Sequence, residues 1–283
     1  MNTPLILKQI SPKTLNHQID TNIIQLHRVY HQSILTTFDC FYELGDYWLV
    51  MPYFQSISLQ TLLTHYFPSG LSDHSFIRYI LSSVLTALHH VHSSSNQIRA
   101  LKPSKILLSR SGDLKVLDCE VTSTIRELLL HKKTVNPYWN APEVINGSHG
   151  DSRSDIWSFG LLIIALITGK SPWEDYPFLK ASIMITQKPP YRLSRDTPCE
   201  NFLREVVECC LQKNPEKRPT AQMLLENPYF SKFSGKKHAG AVLSKILSLT
   251  EQSAKKLETM LQPRQLSGED PDEMLDLDIE PEY

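Results

Sequence analysis

The stretch Ile98-Arg99-Ala100-Leu101-Lys102-Pro103-Ser104-Lys105-Ile106-Leu107-Leu108 sets three cations at three-residue intervals just ahead of an apolar run. Asp118 follows a second short apolar run, Leu114–Leu117. A carboxylate in such a place can take a proton or bind a hard cation. Ala100, third in the first stretch, can do neither. Lys8 lies near the end of Leu5–Ile10, and Glu143, Asp155 and Arg218 are further charged candidates. The five cysteines are odd in number, scattered, and lack metal-ligand spacing. They point to reduced thiols and a cytoplasmic or also nuclear setting.

The chain has 283 residues, enough for one large domain or for two lobes around a cleft. Its apolar fraction of 41% and charged fraction of 21% suit a globular protein. The net charge of −1 gives no reason to expect nucleic-acid or membrane attraction. That total hides an asymmetry, because eight acidic side chains fall within residues 264–283. An acidic tail on a mildly basic body is a candidate interaction segment. No cationic stretch followed by an apolar run opens the chain, so no signal peptide is expected. The most apolar run, Ile156–Ile167, is too short to span a bilayer.

The elements that must position these residues follow from pattern. Leu5–Ile10 reads as a strand, and Leu15, Ile19, Ile23, Leu26 and Tyr30 recur at helical spacing. Ile34–Tyr42 and Tyr47–Met51 read as strands joined by a turn at Gly45-Asp46. After a linker at 52–58 the pattern becomes helical. Ser72 is a candidate cap for a helix carrying Phe76, Ile77, Ile80, Leu81, Val84, Leu88 and Val91 on one face. Ser111-Gly112-Asp113 should turn the chain into Leu114–Leu117. A buried helix from Ser154 and helices near 201–211, 219–226 and 240–262 complete the pattern.

Five motifs in register carry a resemblance: the stretch 98–108, Asp118 after a strand, Pro137–Glu143 (PYWNAPE), Asp155–Gly160 (DIWSFG), and Cys210–Pro219 (CLQKNPEKRP). Together they resemble a eukaryotic protein kinase from about Leu5 to Phe233, within the sterile-20 group. The resemblance implies an α+β, bilobal protein kinase-like fold. It divides the chain into a truncated N-lobe at 1–51, a hinge at 52–58, a helical C-lobe at 59–233, a helical extension at 234–265 and an acidic tail at 266–283. It also implies that Glu143 pairs with Arg218, and that Arg99 and Asp155 hold the catalytic loop.

The chemical positions depart from the family pattern. A kinase uses a lid over the phosphates, a lysine fixed by a glutamate, a base, and magnesium ligands. Only four residues precede Leu5, so the glycine-rich loop is not expected in this chain. Lys8 matches the phosphate-binding lysine, but Asn22 stands where its glutamate belongs. Ala100 stands at the base and Lys105 at the magnesium-binding asparagine. Asp118, the remaining metal residue, is followed by Cys119 and Glu120 instead of the family's Phe-Gly. Met51, the Pro52 carbonyl, the Phe54 amide and Leu107 would frame adenine, and Lys102 would reach the phosphates. ATP would therefore bind weakly, and magnesium would keep only Asp118 as a ligand.

Segments Ser58–Ser72 and Ser104–Ser109 are similar to the sterile-20-related kinase adaptor (STRAD) family. Those adaptors are pseudokinases that activate a partner serine/threonine kinase together with an armadillo-like scaffold. The resemblance implies a catalytically inactive adaptor whose tail, through Ile279, Glu282 and Tyr283, contacts the scaffold. The family's tail carries Trp-Glu-Phe where this chain has Pro281-Glu282-Tyr283. The alternative is a weakly active serine/threonine protein kinase. A chain missing its first two strands through splicing or an incomplete gene model is a third reading.

Overall fold

The computed structural model describes residues 4–10, 31–99, 101–117, 136–231 and 233–261. Two sheets and a set of helices form the α+β fold. The first sheet has the order β1 (Leu5–Ile10), β4 (Asp46–Pro52), β3 (Asp39–Glu43), all antiparallel. Alternation along β4 buries Tyr47, Leu49 and Met51 on one face, as a half-buried strand requires. A two-residue turn joins β3 to β4. Leu44 (φ 52°) and Gly45 (φ 89°) both take the positive φ of the turn that suits twisted hairpins.

The second sheet runs β2 (Ile34–Leu35), β7 (Leu114–Leu117), β6 (Ile106–Leu108), β5 (Ile57–Ser58). The strand expected over Ile34–Tyr42 is therefore two strands in different sheets. Ile34 and Leu35 pair in parallel with Val116 and Leu117, while Asp39–Glu43 pairs antiparallel with β4. The helix expected from Leu15 to Tyr30 lies outside the described residues.

Helices supply most of the core: α1 (Leu59–His65), α2 (His74–Ser93), α3 (Pro142–Ile145), α4 (Ser152–Thr168), α5 (Phe178–Gln187), α6 (Asn201–Cys210), α7 (Ala221–Glu226), α8 (Pro228–Ser231) and α9 (Lys236–Leu261). Single 3₁₀ turns occupy Pro103–Lys105 and Pro215–Lys217. The cap of α2 is Asp73, not Ser72. Its carboxylate accepts the Phe76 amide at 2.9 Å, three residues on. Helix α4 is buried all round, from Ser154 to Ile167. Asp151 and Ser154 start it with a reciprocal capping box, and Gly169 ends it at φ 87°. Among the described residues, no helix is long and apolar enough to cross a membrane.

The chain divides into two units, Met1–Ile246 and Leu247–Tyr283. Within the first, the opening turns of α9 dock on the β6–β7 turn. Ala239 and Leu243 are buried there, and Lys236 pairs with Asp113 at 2.5 Å. Gly112 makes that approach possible: at φ +85°, an added Cβ would fall 2.2 Å from the Lys236 carbonyl oxygen and 2.7 Å from the Gly240 amide. Gly112→Ala should therefore destabilise the fold by more than about 1 kcal/mol, read as a lower midpoint in urea. An unchanged midpoint would show that the turn and helix separate freely.

Candidate active site

Asp155 organises the first turn of the motif-bearing loop. Helix α4 delivers it, almost fully buried, to the end of α2. One carboxylate oxygen accepts the Ile98 amide at 2.8 Å, and the other accepts the Arg99 amide at 3.0 Å. His92 Nε2, from the last turn of α2, lies 2.9 Å from Oδ2. With the carboxylate as acceptor, that nitrogen carries the proton. These bonds hold Arg99 at φ 52°, a left-handed conformation that is costly for a residue with a side chain. Such strain persists only where the surroundings enforce it.

Downstream, Lys102 is extended and its carbonyl accepts the Lys105 amide at 2.9 Å, closing the 3₁₀ turn that leads into β6. In β6, half-buried Leu107 sits between Ser58 of β5 and Lys115 of β7. The β6–β7 hairpin closes through Ser109, whose amide donates to the Asp113 carbonyl at 2.8 Å and whose hydroxyl accepts the Asp113 amide at 3.0 Å. The structure thus fixes the chain on both sides of position 100 and up to Leu117. Ala100 and Asp118 themselves lie outside the described residues, as do Asn22, Cys119, Glu120, Ile279, Glu282 and Tyr283.

Three of the adenine-framing candidates, Met51, Pro52 and Phe54, lie at or just past the end of β4. Met51 is buried and opposite Ile6, and Pro52 is opposite Leu5. Half-buried Phe54 follows, its carbonyl accepting the Ser56 hydroxyl at 2.9 Å and its ring lying 5.6 Å from the Lys115 ammonium. Lys8 is half-buried in β1 opposite Leu49. Lys105 cannot ligate a magnesium ion, because an ammonium has no lone pair to give. It offers positive charge at that position instead. Among the described residues, no group of three His, Cys, Asp or Glu side chains could hold a metal ion.

Glu143 and Arg218 meet in a two-pronged pair, with Nη1–Oε1 at 2.6 Å and Nη2–Oε2 at 2.7 Å. Arg218 is completely buried. Its remaining donors go to the carbonyls of Gln212 at 2.8 Å, Arg153 at 2.9 Å and Lys213 at 3.4 Å. Its guanidinium also lies 5.2 Å from the Trp157 ring centre. Burial alone would raise the Glu143 pKa. The hydrogen bonds and charge of Arg218, with help from Ser154, outweigh it and hold the carboxyl below the usual range.

Two contributors escaped the sequence. His92 has no spacing signal, since its partner is 63 residues away. Ser154 was expected only as a helix start, yet its hydroxyl also donates to Glu143 Oε1 at 2.8 Å. Asp155→Asn should cost about 1–2 kcal/mol, because the amide group presents a donor to one of the donors now served. The expected readout is a lower denaturant midpoint and faster hydrogen exchange at the Ile98 and Arg99 amides. Neither changing would remove Asp155 from the loop's support.

The protein kinase domain family model matches residues 4–230. Serine/threonine-protein kinase fray1 of Dictyostelium discoideum is 32% identical over 231 residues, covering 80% of this chain and 38% of that protein. Serine/threonine-protein kinase fray2 of the same organism is 30% identical over 232 residues, covering 80% of this chain and 21% of that protein. Serine/threonine-protein kinase STE20 of Saccharomyces cerevisiae is 30% identical over 221 residues, covering 77% of this chain and 23% of that protein. The chain thus spans well under half the length of these three relatives.

These names correct the expectation of a catalytically inactive adaptor, because the relatives are serine/threonine-protein kinases. The likeness that these relatives show is to the Ste20 group of serine/threonine-protein kinases. The physical reason is that the departures at Asn22, Ala100, Lys105 and Glu120 do not by themselves decide the class of protein. Phosphoryl transfer rests chiefly on positioning and electrostatics, so such changes bear on the rate.

Proposed function

The chain belongs to the protein kinase domain family, and from that premise we propose that it is a weakly active serine/threonine protein kinase. It would move the γ-phosphoryl group of ATP to a serine or threonine hydroxyl. The P–O bond to ADP breaks, a P–O bond to the substrate oxygen forms, and the hydroxyl proton leaves to phosphate or solvent. The observation that carries this reading is the Asp155 cradle, which holds the Ile98 and Arg99 amides in a costly backbone conformation. A loop kept under strain is the arrangement expected of a site used for positioning.

The nucleotide pocket in this proposal is formed by Lys8, Met51, Pro52, Phe54, Lys102, Leu107 and Asp118. Adenine would meet the backbone at Pro52 and Phe54, which no side-chain change removes. Lys102 and Lys105 would lend positive charge to the phosphates. Loss of a general base costs about 10²–10⁴ in rate, so turnover is slow. Lys105 has no lone pair for a metal ion, so the residue at this position does not fit magnesium.

The test is phosphoamino-acid analysis of a mixed peptide substrate labelled by the purified chain with γ-labelled ATP. Label on serine and threonine is expected. Label on tyrosine alone, or no label at all, would overturn the assignment.

A further inference from the structure

Strand β1 forms one edge of the three-stranded sheet, and among the described residues nothing pairs with its outer side. We propose that this edge binds a second copy of the chain, β1 antiparallel to β1, so that the two sheets join into one.

Three observations point to that partner. First, the backbone groups that an added strand needs are turned outward. On the β3 side of β4 the Val50 carbonyl accepts the Phe38 amide at 2.7 Å, and on the β1 side the Tyr53 amide donates to the Pro4 carbonyl at 3.1 Å. Leu7 stands opposite Val50. The alternation of an antiparallel ladder then directs the N–H and C=O groups of Ile6 and Lys8 to β4, and those of Leu5, Leu7 and Gln9 away from it.

Second, the side chains at those positions suit a strand on that edge. Leu5 is 52% and Leu7 56% exposed, while the Gln9 amide is turned back to the Asp46 carboxylate of β4. The strand contains no proline, and its register with β4 runs without a bulge. An apolar edge of this kind is a template for pairing.

Third, the strand complements itself. With Leu7 on the twofold axis, Leu7 packs on Leu7 of the second copy, Leu5 faces its Gln9 and Ile6 faces its Lys8, so every outward backbone group meets a partner. With Lys8 on the axis instead, two ammonium groups would stand directly opposite, which is unfavourable. The other edge of the sheet does not match itself in this way. A β3 self-pair about Phe41 would set Asp39 against Glu43, like charge against like. One pair of short strands buries less than a standard interface, so the dimer should dissociate in the micromolar range.

The experiment is sedimentation velocity on the full chain over a concentration series reaching the high micromolar range. It reads mass, so it does not depend on phosphotransfer. A reversible monomer–dimer equilibrium is expected. Leu7→Lys should weaken association at least about tenfold and leave the thermal midpoint of the dilute protein unchanged, because that side chain is exposed within one copy. Leu7→Glu should act alike, and an equimolar mixture of the two variants should associate again, since lysine then stands opposite glutamate. Leu179→Lys, at the exposed leucine of α5, should dimerise as the parent does. A monomer at every concentration, association that Leu7→Lys does not weaken, no recovery in the mixture, or loss of the dimer in Leu179→Lys would overturn the proposal.

Discussion

Ala100→Asp should raise the phosphotransfer rate of the purified chain by at least about 10²-fold. The new carboxylate would stand between two anchored segments. Upstream, Asp155 holds the Ile98 and Arg99 amides. Downstream, the 3₁₀ turn of Pro103–Lys105 and strand β6 fix the chain. A base placed by such a frame acts on the substrate hydroxyl chiefly in the transition state, so kcat should rise while KM stays nearly constant. Ala100→Asn, similar in size but unable to take the proton, should stay close to the parent. The gain need not reach the full 10⁴-fold of this class, because Lys105 still differs from the family residue and such effects do not simply add. Equal rates for the Asp and Asn variants would show that the frame does not present position 100 to substrate.

Arg218→Ala should cost about 3–5 kcal/mol of folding stability, since it strands the Glu143 carboxylate and several carbonyls that the guanidinium now serves. For a domain of this size that is a fall in Tm of roughly 10 °C. Lys188→Ala, at an exposed site, should stay within about 0.5 kcal/mol. The pair also predicts a pH dependence. The folded Glu143 carboxyl titrates below its ordinary value of 4.5, so folding favours the ionised form. That contribution is fully present above pH 4.5 and is lost as the pH falls through the lower folded value. The stability gap between the parent and Glu143→Gln should accordingly be widest near neutrality and shrink in acid. A gap that widened on acidification, or an Arg218→Ala loss no larger than that of Lys188→Ala, would contradict the pairing.

Regular, one-sided elements could be read from the sequence. Helix α2 shows its 3.6-residue period because Phe76, Ile80, Val84 and Leu88 all face the core. Its cap was misplaced by one residue because Ser72 and Asp73 are both capping types, and only the reach to the Phe76 amide distinguishes them. The β2 strand had no pattern to read, as two buried residues show no alternation. Helix α5 was missed because only Ala181 and Ile185 are buried in it, while Phe178 and Leu179 are exposed. In the site, charged motif residues were legible one by one. The His92–Asp155 contact and the strain at Arg99 arise from packing between distant segments and leave no mark on local spacing. The reaction class was misread because Ala100 and Lys105 are conspicuous in the sequence, while the backbone bonds that shape the loop around them are not.

Whether this chain itself transfers phosphate is measured most directly by incorporation of γ-labelled phosphate by the purified chain beside Asp118→Ala prepared identically. Slow incorporation that Asp118→Ala abolishes is the predicted result. Incorporation equal in the two proteins, or none above the blank in either, would contradict it.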